Sequence, residues 1–562
     1  MLTFFTVFSF IDVFDSSNFS IPLFLFLQIF AGVTGYYVKG KRISRRHPDY
    51  SKDSCAYIMC VGTEAFIVAN TFPFLIAFFK NIYYSVGFLY EDQLFELIRQ
   101  GNNYIDNFDI IITYLFLYAL PCHIISIFFL VIFYRLARYH IKIGKSTKNI
   151  YRISLRIHSL LYIASAVYFY CKIIEPVPQY DPHSLIFDHT VFTDYSLLKF
   201  PEKKKNIIYI SLESLDTVVF HEKYGGCFDR EIIPFMEKLA LDKNNIHFSH
   251  LKYPFLGGMS VPSRLDFTIA STFGALCGVP YMGKNNFREH TDGFLDGFVC
   301  LGEILKENGY ITSATFGSGR TDYGYGHIFD LHEFQRIHSS EDITGVKKWI
   351  EDKYTYEYFK NELTNISLMN KPFMAIMCTI DSHEPGHICN LCPDTNSDRA
   401  TKSIECADRQ LKNFLDWAKQ QSWYNNTVFL IYGDHISRDS NYKRMAKEHN
   451  YIKKTYNVIL NSEMKANRTH ERLFTVMDLL PTVLNAAGVK ISGDRLGMGV
   501  SLFSDLPTGL EKYKDNFEKS FNQILFWYDT IINKKSIHCG MNEPCISLNN
   551  YSLETTYTNL SE

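Results

Sequence analysis

The sequence predicts a multi-span α-helical membrane domain followed by an α/β domain with a mainly parallel sheet flanked by helices. Long apolar runs dominate the first third of the 562 residues, and crossing a hydrocarbon core takes about 20 apolar residues. Further along, short apolar runs alternate with helical patterns, which indicates a parallel sheet covered by helices. We therefore divide the chain into a transmembrane domain (1–174), a linker (175–205), an α/β domain (206–505) and a C-terminal extension (506–562).

The predicted membrane domain contains four or five helices. Four runs are long enough, or nearly so, to span a bilayer: 21–38, 55–79, 110–134 and 153–174. A shorter run at 2–14 is a fifth span, an interfacial segment or a signal-like start. Within residues 1–174, the loops at 39–52 and 135–152 carry most of the lysines and arginines, so the positive-inside rule places both loops in the cytoplasm. Everything after residue 174 is then extracytoplasmic.

Charge and cysteine usage agree with this orientation. The net charge is −2, and the basic clusters are explained by topology, so we expect no nucleic-acid partner. Nine of the thirteen cysteines follow residue 174, where disulfides can persist. Spacing alone does not fix their connectivity. A zinc site at Cys389 and Cys392 is the competing interpretation, but no second CxxC pair accompanies it.

The α/β domain is predicted from its strands and helices in turn. Continuous apolar runs typical of strands buried on both faces occur at 206–212, 311–316, 373–380 and 427–432. Helical patterns lie between and after them, at 231–241, 301–308, 400–419 and 470–487. Strands that alternate with helices in this way predict a parallel sheet with helices on both faces.

Three of these strands run into polar residues. The first is followed by Glu213, the third by Asp381-Ser382-His383, and the fourth by Asp434 and His435. In an open parallel sheet, ligands bind beyond the carboxyl ends of the strands, so these groups are expected to converge. Two carboxylates and an imidazole suit a divalent ion, with manganese, magnesium or zinc as candidates.

Thr268 opens the stretch DFTIASTFGALCGVP, and two roles are open to it. Its hydroxyl can cap the helix expected over 269–276. It can also be a metal ligand that becomes a nucleophile at neutral pH. A helix N-terminus favours an anion such as phosphate, so the two roles are compatible.

An ordered set of segments resembles the sulfatase-like branch of the alkaline phosphatase superfamily. These segments are NIIYISLES, DFTIASTFGALCGVP, CLGEILKENGY, TIDSHEP, IECADRQLKNFL, TVFLIYGDHI and FTVMDLLPTVL. Within that branch the chain most resembles the membrane phosphoglycerol transferases that modify periplasmic glucans, with lipoteichoic acid synthases as more distant relatives.

The resemblance implies a role for each site residue. Glu213, Thr268, Asp434 and His435 become the metal shell, with manganese as the expected ion, Thr268 becomes the nucleophile, and His383 becomes a substrate-phosphate contact. It also implies a disulfide between Cys277 and Cys300, and another between Cys406 and either Cys389 or Cys392.

The implied activity is transfer of phosphoglycerol from phosphatidylglycerol to an extracytoplasmic glycan or glycolipid at the bacterial cytoplasmic (inner) membrane. The partners are then a phospholipid donor and a glycan or glycolipid acceptor. Three alternatives remain open: a phosphoethanolamine transferase acting on lipid A or glycan, a sulfate-ester hydrolase, and a catalytically inactive membrane scaffold.

The sequence departs from the family pattern at three places. Asp266 stands where the glucan-modifying subgroup has small residues, and its charge would lie near a phosphate. Arg320, in the loop 317–326, is a candidate for gripping a phosphate or sulfate. The run SVPSR, from Ser260 to Arg264, reads like a sulfatase signature, but Ala270 stands where that signature requires glycine.

Overall fold

The computed structural model divides the chain into two compact units, Met1–Val177 and Pro178–Glu562. It describes residues 181–281, 295, 298–346, 349–524 and 526–528, together with the backbone of two short strands, Leu89–Tyr90 and Ile174–Glu175, which pair in parallel. The predicted membrane-spanning runs lie outside the described residues. Within the described part of the chain, no helix is both long and apolar enough to cross a bilayer.

A six-stranded sheet organises the second unit. In chain order its strands are β1 (Asn206–Leu212), β2 (Ile311–Phe316), β3 (Arg336–His338), β4 (Phe373–Cys378), β5 (Thr427–Gly433) and β6 (Asn457–Leu460). Their order across the sheet is β3-β2-β4-β1-β5-β6, and β6 alone runs antiparallel to its neighbour. The mainly parallel sheet predicted from the sequence is therefore confirmed. β1, β2, β4 and β5 are buried along their whole lengths, which explains their continuous apolar runs.

Twelve α-helices are described. They are α1 (Leu185–Asp188), α2 (Pro234–Leu241), α3 (Thr268–Cys277), α4 (Leu301–Glu307), α5 (Tyr325–Leu331), α6 (Ser340–Thr344), α7 (Asp352–Ser367), α8 (Arg399–Ala418), α9 (Ser440–Glu448), α10 (Leu479–Ala486), α11 (Gly509–Tyr513) and α12 (Asp515–Lys519). The helix predicted over 470–487 is wrong in its first half. The capping box of Thr475 and Asp478 starts a short 3₁₀ turn, and α10 follows it.

Apolar side chains cover both faces of the sheet. Along β1, Ile207 and Tyr209 point to one core, and Ile208 and Ile210 point to the other. Helices α3, α4, α5 and α10 contribute to the first core, and α2, α7 and α8 contribute to the second. The helix-covered sheet buries both of its faces, as an α/β domain requires.

Residues on either side of the sheet region join the first core. Ile186 of α1, in the predicted linker, is fully buried. Phe517, Phe521, Trp527 and Tyr528, in the predicted C-terminal extension, are buried as well. Packing of this unit therefore continues beyond residue 505, to the last described residues.

Two disulfides are present among the described residues. Cys277 at the end of α3 is bonded to Cys300 at the start of α4, as the family resemblance implies. Cys392 is bonded to Cys406 of α8, which leaves Cys389 as a buried thiol. This bond decides between the two partners left open for Cys406. Cys389 is then the one cysteine of the CxxC pair that keeps a free thiol.

Candidate active site

Three predicted ligands meet beyond the carboxyl ends of β1 and β5. These strands are parallel neighbours, with Leu212 beside Gly433 in register, so Glu213 and Asp434 leave the sheet at the same level. The Nε2 atom of His435 lies 3.1 Å from Oε1 of Glu213. One ligand atom from each of the three residues lies within 4.8 Å of the other two, and all three side chains are buried. Two of the three strand ends that the sequence analysis singled out therefore converge.

Thr268 joins this cluster from the first residue of α3. Its Oγ1 atom donates a hydrogen bond to Oε2 of Glu213 over 3.1 Å and lies 3.3 Å from Nε2 of His435. The N-cap of α3 is Phe267, and no side chain caps the helix. The prediction that Thr268 is the N-cap is therefore wrong, and its hydroxyl is directed at the acidic cluster instead.

The first turn of α3 leaves its backbone amides open towards the cluster. The first backbone hydrogen bond at this end runs from the amide of Ser271 to the carbonyl of Phe267. The preceding amides therefore carry the partial positive charge of the helix N-terminus next to Thr268. Such an arrangement suits an anion held against the threonine hydroxyl.

Backbone and hydroxyl donors hold the two carboxylates in place. Ser214 donates its backbone N–H to Oδ1 of Asp434 over 2.8 Å and its hydroxyl to Oε1 of Glu213, also over 2.8 Å. Ser382 donates to the carbonyl of Glu213 over 2.6 Å. The sequence analysis missed the roles of Ser214 and Ser382. Their positions directly beside a predicted ligand or contact were the only available signal.

The protonation of the cluster reflects two buried carboxylates beside one imidazole. Burial opposes the charge of His435, but Asp434 and Glu213 outweigh it and raise the imidazole pKa to about 10. Burial likewise opposes ionisation of Glu213, but His435 outweighs it and lowers the pKa of that carboxyl to about 2. Burial, together with the charge of Glu213, raises the pKa of Asp434 to about 7. The cluster thus holds a proton on His435 that offsets its negative charge.

A divalent cation fits these residues. Oδ2 of Asp434 is buried and makes no hydrogen bond with any described residue, so it is free to ligate. Nδ1 of His435 lies 3.1 Å from the carbonyl of Ile436, which only accepts, so Nε2 is the ring nitrogen that faces the carboxylates. Two carboxylate ligands, an imidazole and a hydroxyl suit a hard or borderline ion.

The other polar residues that follow β4 separate into two groups. Asp381 faces away from the cluster, because its carboxylate accepts the backbone N–H of Asp352 and its own N–H binds the Asp352 carboxylate. His383 lies edge-on to Trp349, with ring centroids 5.0 Å apart. His383 is near enough to Glu213 to contribute to the lowered pKa of that carboxyl. It therefore lies in the neighbourhood of the cluster, whereas Asp381 supports the loop.

Two other candidates lie away from the acidic cluster. Arg320 bonds Asp330 over 2.7 Å, and none of its described contacts reaches the cluster. Ser260, the first residue of the SVPSR run, accepts a hydrogen bond of 2.7 Å from Nζ of Lys454. None of the described hydrogen bonds of Ser260 reaches Glu213, Asp434 or His435.

Known proteins match this chain in sequence and in fold. The family model described as Sulfatase matches residues 205–489. Phosphoglycerol transferase I of Escherichia fergusonii is 26% identical over 326 residues, which cover 54% of this chain and 40% of that protein. The same-named protein of Shigella flexneri is 25% identical over 326 residues, with the same coverage. The chain thus spans less than half the length of these curated relatives.

Two solved structures are also similar. A lipoteichoic acid synthase from Listeria monocytogenes has a TM-score of 0.45 and 16% identity, covering 64% of this chain and 99% of that one. A Streptococcus pyogenes phosphoglycerol transferase in complex with sn-glycerol-1-phosphate has a TM-score of 0.41 and 13% identity, covering 60% and 88%.

Proposed function

The chain belongs to the sulfatase family, and from this premise we propose that it is a metal-dependent phosphotransferase. Its reaction moves phosphoglycerol from phosphatidylglycerol to an extracytoplasmic glycan or glycolipid, through a phosphothreonine intermediate at Thr268. The observation that carries the proposal is the contact of the Thr268 hydroxyl with both Glu213 and His435. Among the described hydroxyls that contact the cluster, the Thr268 hydroxyl is the one that lies at a helix N-terminus.

The metal shell consists of Glu213, Thr268, Asp434 and His435, with manganese as the preferred ion and magnesium or zinc as alternatives. When bound, the ion lowers the pKa of the threonine hydroxyl and offsets charge on the phosphoryl oxygens. Ser214 keeps both carboxylates oriented. The open amides of α3 face the anionic phosphoryl group.

The transfer proceeds in two steps. In the first, Oγ1 of Thr268 loses its proton to solvent and forms a bond to phosphorus, while the ester bond to diacylglycerol breaks and the leaving oxygen takes a proton from solvent. In the second, an acceptor hydroxyl forms a bond to phosphorus and the bond to Oγ1 breaks, so that the acceptor's proton restores the threonine hydroxyl. His383, beside the cluster, contacts the phosphate during both steps.

The choice of phosphoglycerol rests on the curated relatives, which are named phosphoglycerol transferase I. A phosphoethanolamine donor would use the same machinery. A sulfate-ester hydrolase built on Ser260 is disfavoured, because Ser260 bonds Lys454 while Thr268 occupies the cluster. An inactive scaffold would have no need for this complete set of ligands.

We place the protein in the bacterial cytoplasmic membrane, with residues 1–174 as its multi-pass anchor. The apolar runs and basic loops of this part support the placement. The α/β unit then lies on the extracytoplasmic side, where its two disulfides can persist. A phospholipid donor and an envelope glycan acceptor meet at that surface.

The test uses the purified full chain with manganese and phosphatidylglycerol that carries a labelled headgroup. Without acceptor, diacylglycerol should be released and intact mass should show a phosphoglycerol adduct, which peptide mapping assigns to Thr268. Thr268→Ala should give neither product. Phosphatidylethanolamine, supplied in a parallel reaction, identifies the alternative donor. Intact lipid and unmodified protein in both reactions would refute the proposed transfer.

A further inference from the structure

Arg438 lies in the loop that follows β5, three residues after His435. Its backbone N–H and the hydroxyl of Ser437 both donate to Oε1 of Glu384, in the loop that follows β4. One guanidinium N–H donates to the carbonyl of Asp266 over 3.2 Å, two residues before Thr268. Arg438 therefore joins the loops after β4 and β5, the two strands that flank β1, to the segment that leads into α3.

The guanidinium of Arg438 has donors to spare. It is half-buried, and the bond to Asp266 is its single side-chain hydrogen bond to a described residue. No described carboxylate forms an ion pair with it. An arginine offers five N–H donors in a planar fork, so most of them are open. A half-buried guanidinium without a carboxylate partner is suited to a bound anion.

Two lysines in the segment between α9 and β6 contact protein groups. Lys453 bonds the buried carboxylate of Asp216 over 2.8 Å. Lys454 bonds Ser260 over 2.7 Å. Compared with these two lysines, Arg438 is better placed to meet an anion next to Thr268, because its guanidinium contacts Asp266, two residues before Thr268.

We propose that Arg438 is a further catalytic residue, whose guanidinium donates to the non-bridging oxygens of the phosphoryl group that Thr268 attacks. The proposal rests on the proposed function. The open amides of α3 approach the same group from the helix, and the Arg438 side chain is held in place through the Asp266 carbonyl. Burial raises the pKa of the Asp266 carboxyl and the charge of Arg438 opposes that rise, so Arg438 also lies near the residue that departs from the family pattern.

Arg438→Gln and Arg438→Lys test the proposal against Arg444→Gln, a matched control on α9 whose side chain is 62% exposed and pairs with Glu448. Arg438→Gln should lower kcat/KM for phosphatidylglycerol by about 100-fold. It should also weaken inhibition by inorganic phosphate at least about tenfold. For Arg438→Lys, both kcat/KM and inhibition by phosphate should lie between the values of the wild type and Arg438→Gln, because lysine supplies charge without the planar fork. Arg444→Gln should match the wild type.

Phosphate binding separates a catalytic role from a positioning one. If Arg438→Gln lost turnover but bound phosphate as the wild type does, Arg438 would act only through the Asp266 carbonyl, and the proposal would be overturned. Calorimetry with inorganic phosphate and the manganese-loaded protein needs no turnover. It therefore tests Arg438 even if the wild type does not cleave the phospholipid. That lack of cleavage would refute the proposed function, not the phosphate-binding role of Arg438. Circular dichroism of each variant checks that it is folded.

Discussion

At the scale of single residues, the position of Thr268 within α3 decides its chemistry. An N-cap residue has extended backbone angles, and its side-chain oxygen accepts a hydrogen bond from a backbone N–H in the first turn of the helix. Phe267 holds that position, with φ −149° and ψ 161°. Thr268 is the first helical residue, so its hydroxyl is available to Glu213 and His435 while the helix amides open beside it. A threonine one residue earlier would hold the N-cap position, whereas Thr268 directs its hydroxyl at Glu213 and His435.

Substitution of Glu213 tests the proposed metal site directly. Glu213→Gln removes a proposed charged ligand from a buried cluster, so we expect manganese affinity to fall by at least about 100-fold, and activity with it. Ser214→Ala removes only the hydrogen bond to Oε1, and a loss of about tenfold is expected. Isothermal titration of the metal-free protein with manganese measures both.

Glu222→Gln is the control for this series, because Glu222 is exposed in a 3₁₀ turn of the same connection after β1. The manganese affinity of Glu222→Gln should equal that of the wild type. Equal manganese affinity in Glu213→Gln and Glu222→Gln would remove Glu213 from the metal shell. Chelation followed by return of manganese, magnesium or zinc to the wild type then ranks the three ions by restored activity.

Residue types at strand ends could be predicted from the sequence, but their partners could not. Glu213, Asp434 and His435 meet because parallel strands end at one edge. The proposed role of Arg438 could not be predicted in this way, because it depends on a hydrogen bond to the carbonyl of Asp266, which lies 172 positions away in the chain. Arg320 follows a strand of the same sheet, yet an ion pair with Asp330 engages it.

At the scale of elements, α3 is fixed at both ends. Its N-terminus contacts the cluster through Thr268, and its last residue, Cys277, is bonded to Cys300 at the start of α4. Closing a loop of this length stabilises the folded state by about 3 kcal/mol in the chain-entropy model. The disulfide thus holds the helix that presents the proposed nucleophile against the next helix of the same core.

Glu362 connects α7 to two strands and should make stability depend on pH. Its carboxylate accepts two hydrogen bonds from Arg336 of β3, at 2.5 and 2.8 Å, and one from Ser313 of β2 at 2.9 Å. Burial opposes its charge, but the bonds from Arg336 outweigh burial and lower its pKa to about 2. The folded pKa is below the usual value of about 4.3. The stabilisation is therefore fully present above a pH of about 4.3. It is lost as the pH falls towards about 2.

Glu362→Gln should lower the free energy of unfolding at pH 7 by about 2 kcal/mol. Denaturation of the two proteins at several pH values should show this difference shrinking below a pH of about 4.3. Glu357→Gln, on the exposed face of the same helix, should leave stability unchanged. A difference between wild type and Glu362→Gln that stayed constant down to acid pH would contradict the ion-pair explanation.

Elements with long apolar runs were predictable, and short or polar ones were not. The strands at 206–212, 311–316 and 427–432 were found because both of their faces are buried. β3 has three residues, all half-buried, so it lacks a pattern. α7 was missed although Tyr356, Phe359, Leu363 and Ile366 form a buried stripe, because polar residues dominate its sequence.

At the scale of the whole molecule, the strand order β3-β2-β4-β1-β5-β6 assembles the site from distant parts of the chain. β1 lies between β4 and β5, so Glu213 is flanked by the loops that carry His383 and Asp434. The family recognised from the sequence motifs is confirmed by the match over residues 205–489. Strand order itself could not be read from the sequence, since apolar runs do not say which strands pair.

The proposed membrane anchor gives the last prediction. Four long apolar runs should hold the full chain in the bilayer, because each can cross a hydrocarbon core. In a bacterial host the chain should stay with membranes through alkaline carbonate extraction. Protease added to spheroplasts should digest the α/β unit, because the positive-inside rule places the basic loops in the cytoplasm. A cytoplasmic marker protein should survive the same treatment. Release by carbonate would exclude the anchor, whereas a protease-resistant α/β unit would reverse the orientation and leave the phospholipid donor on the cytoplasmic face.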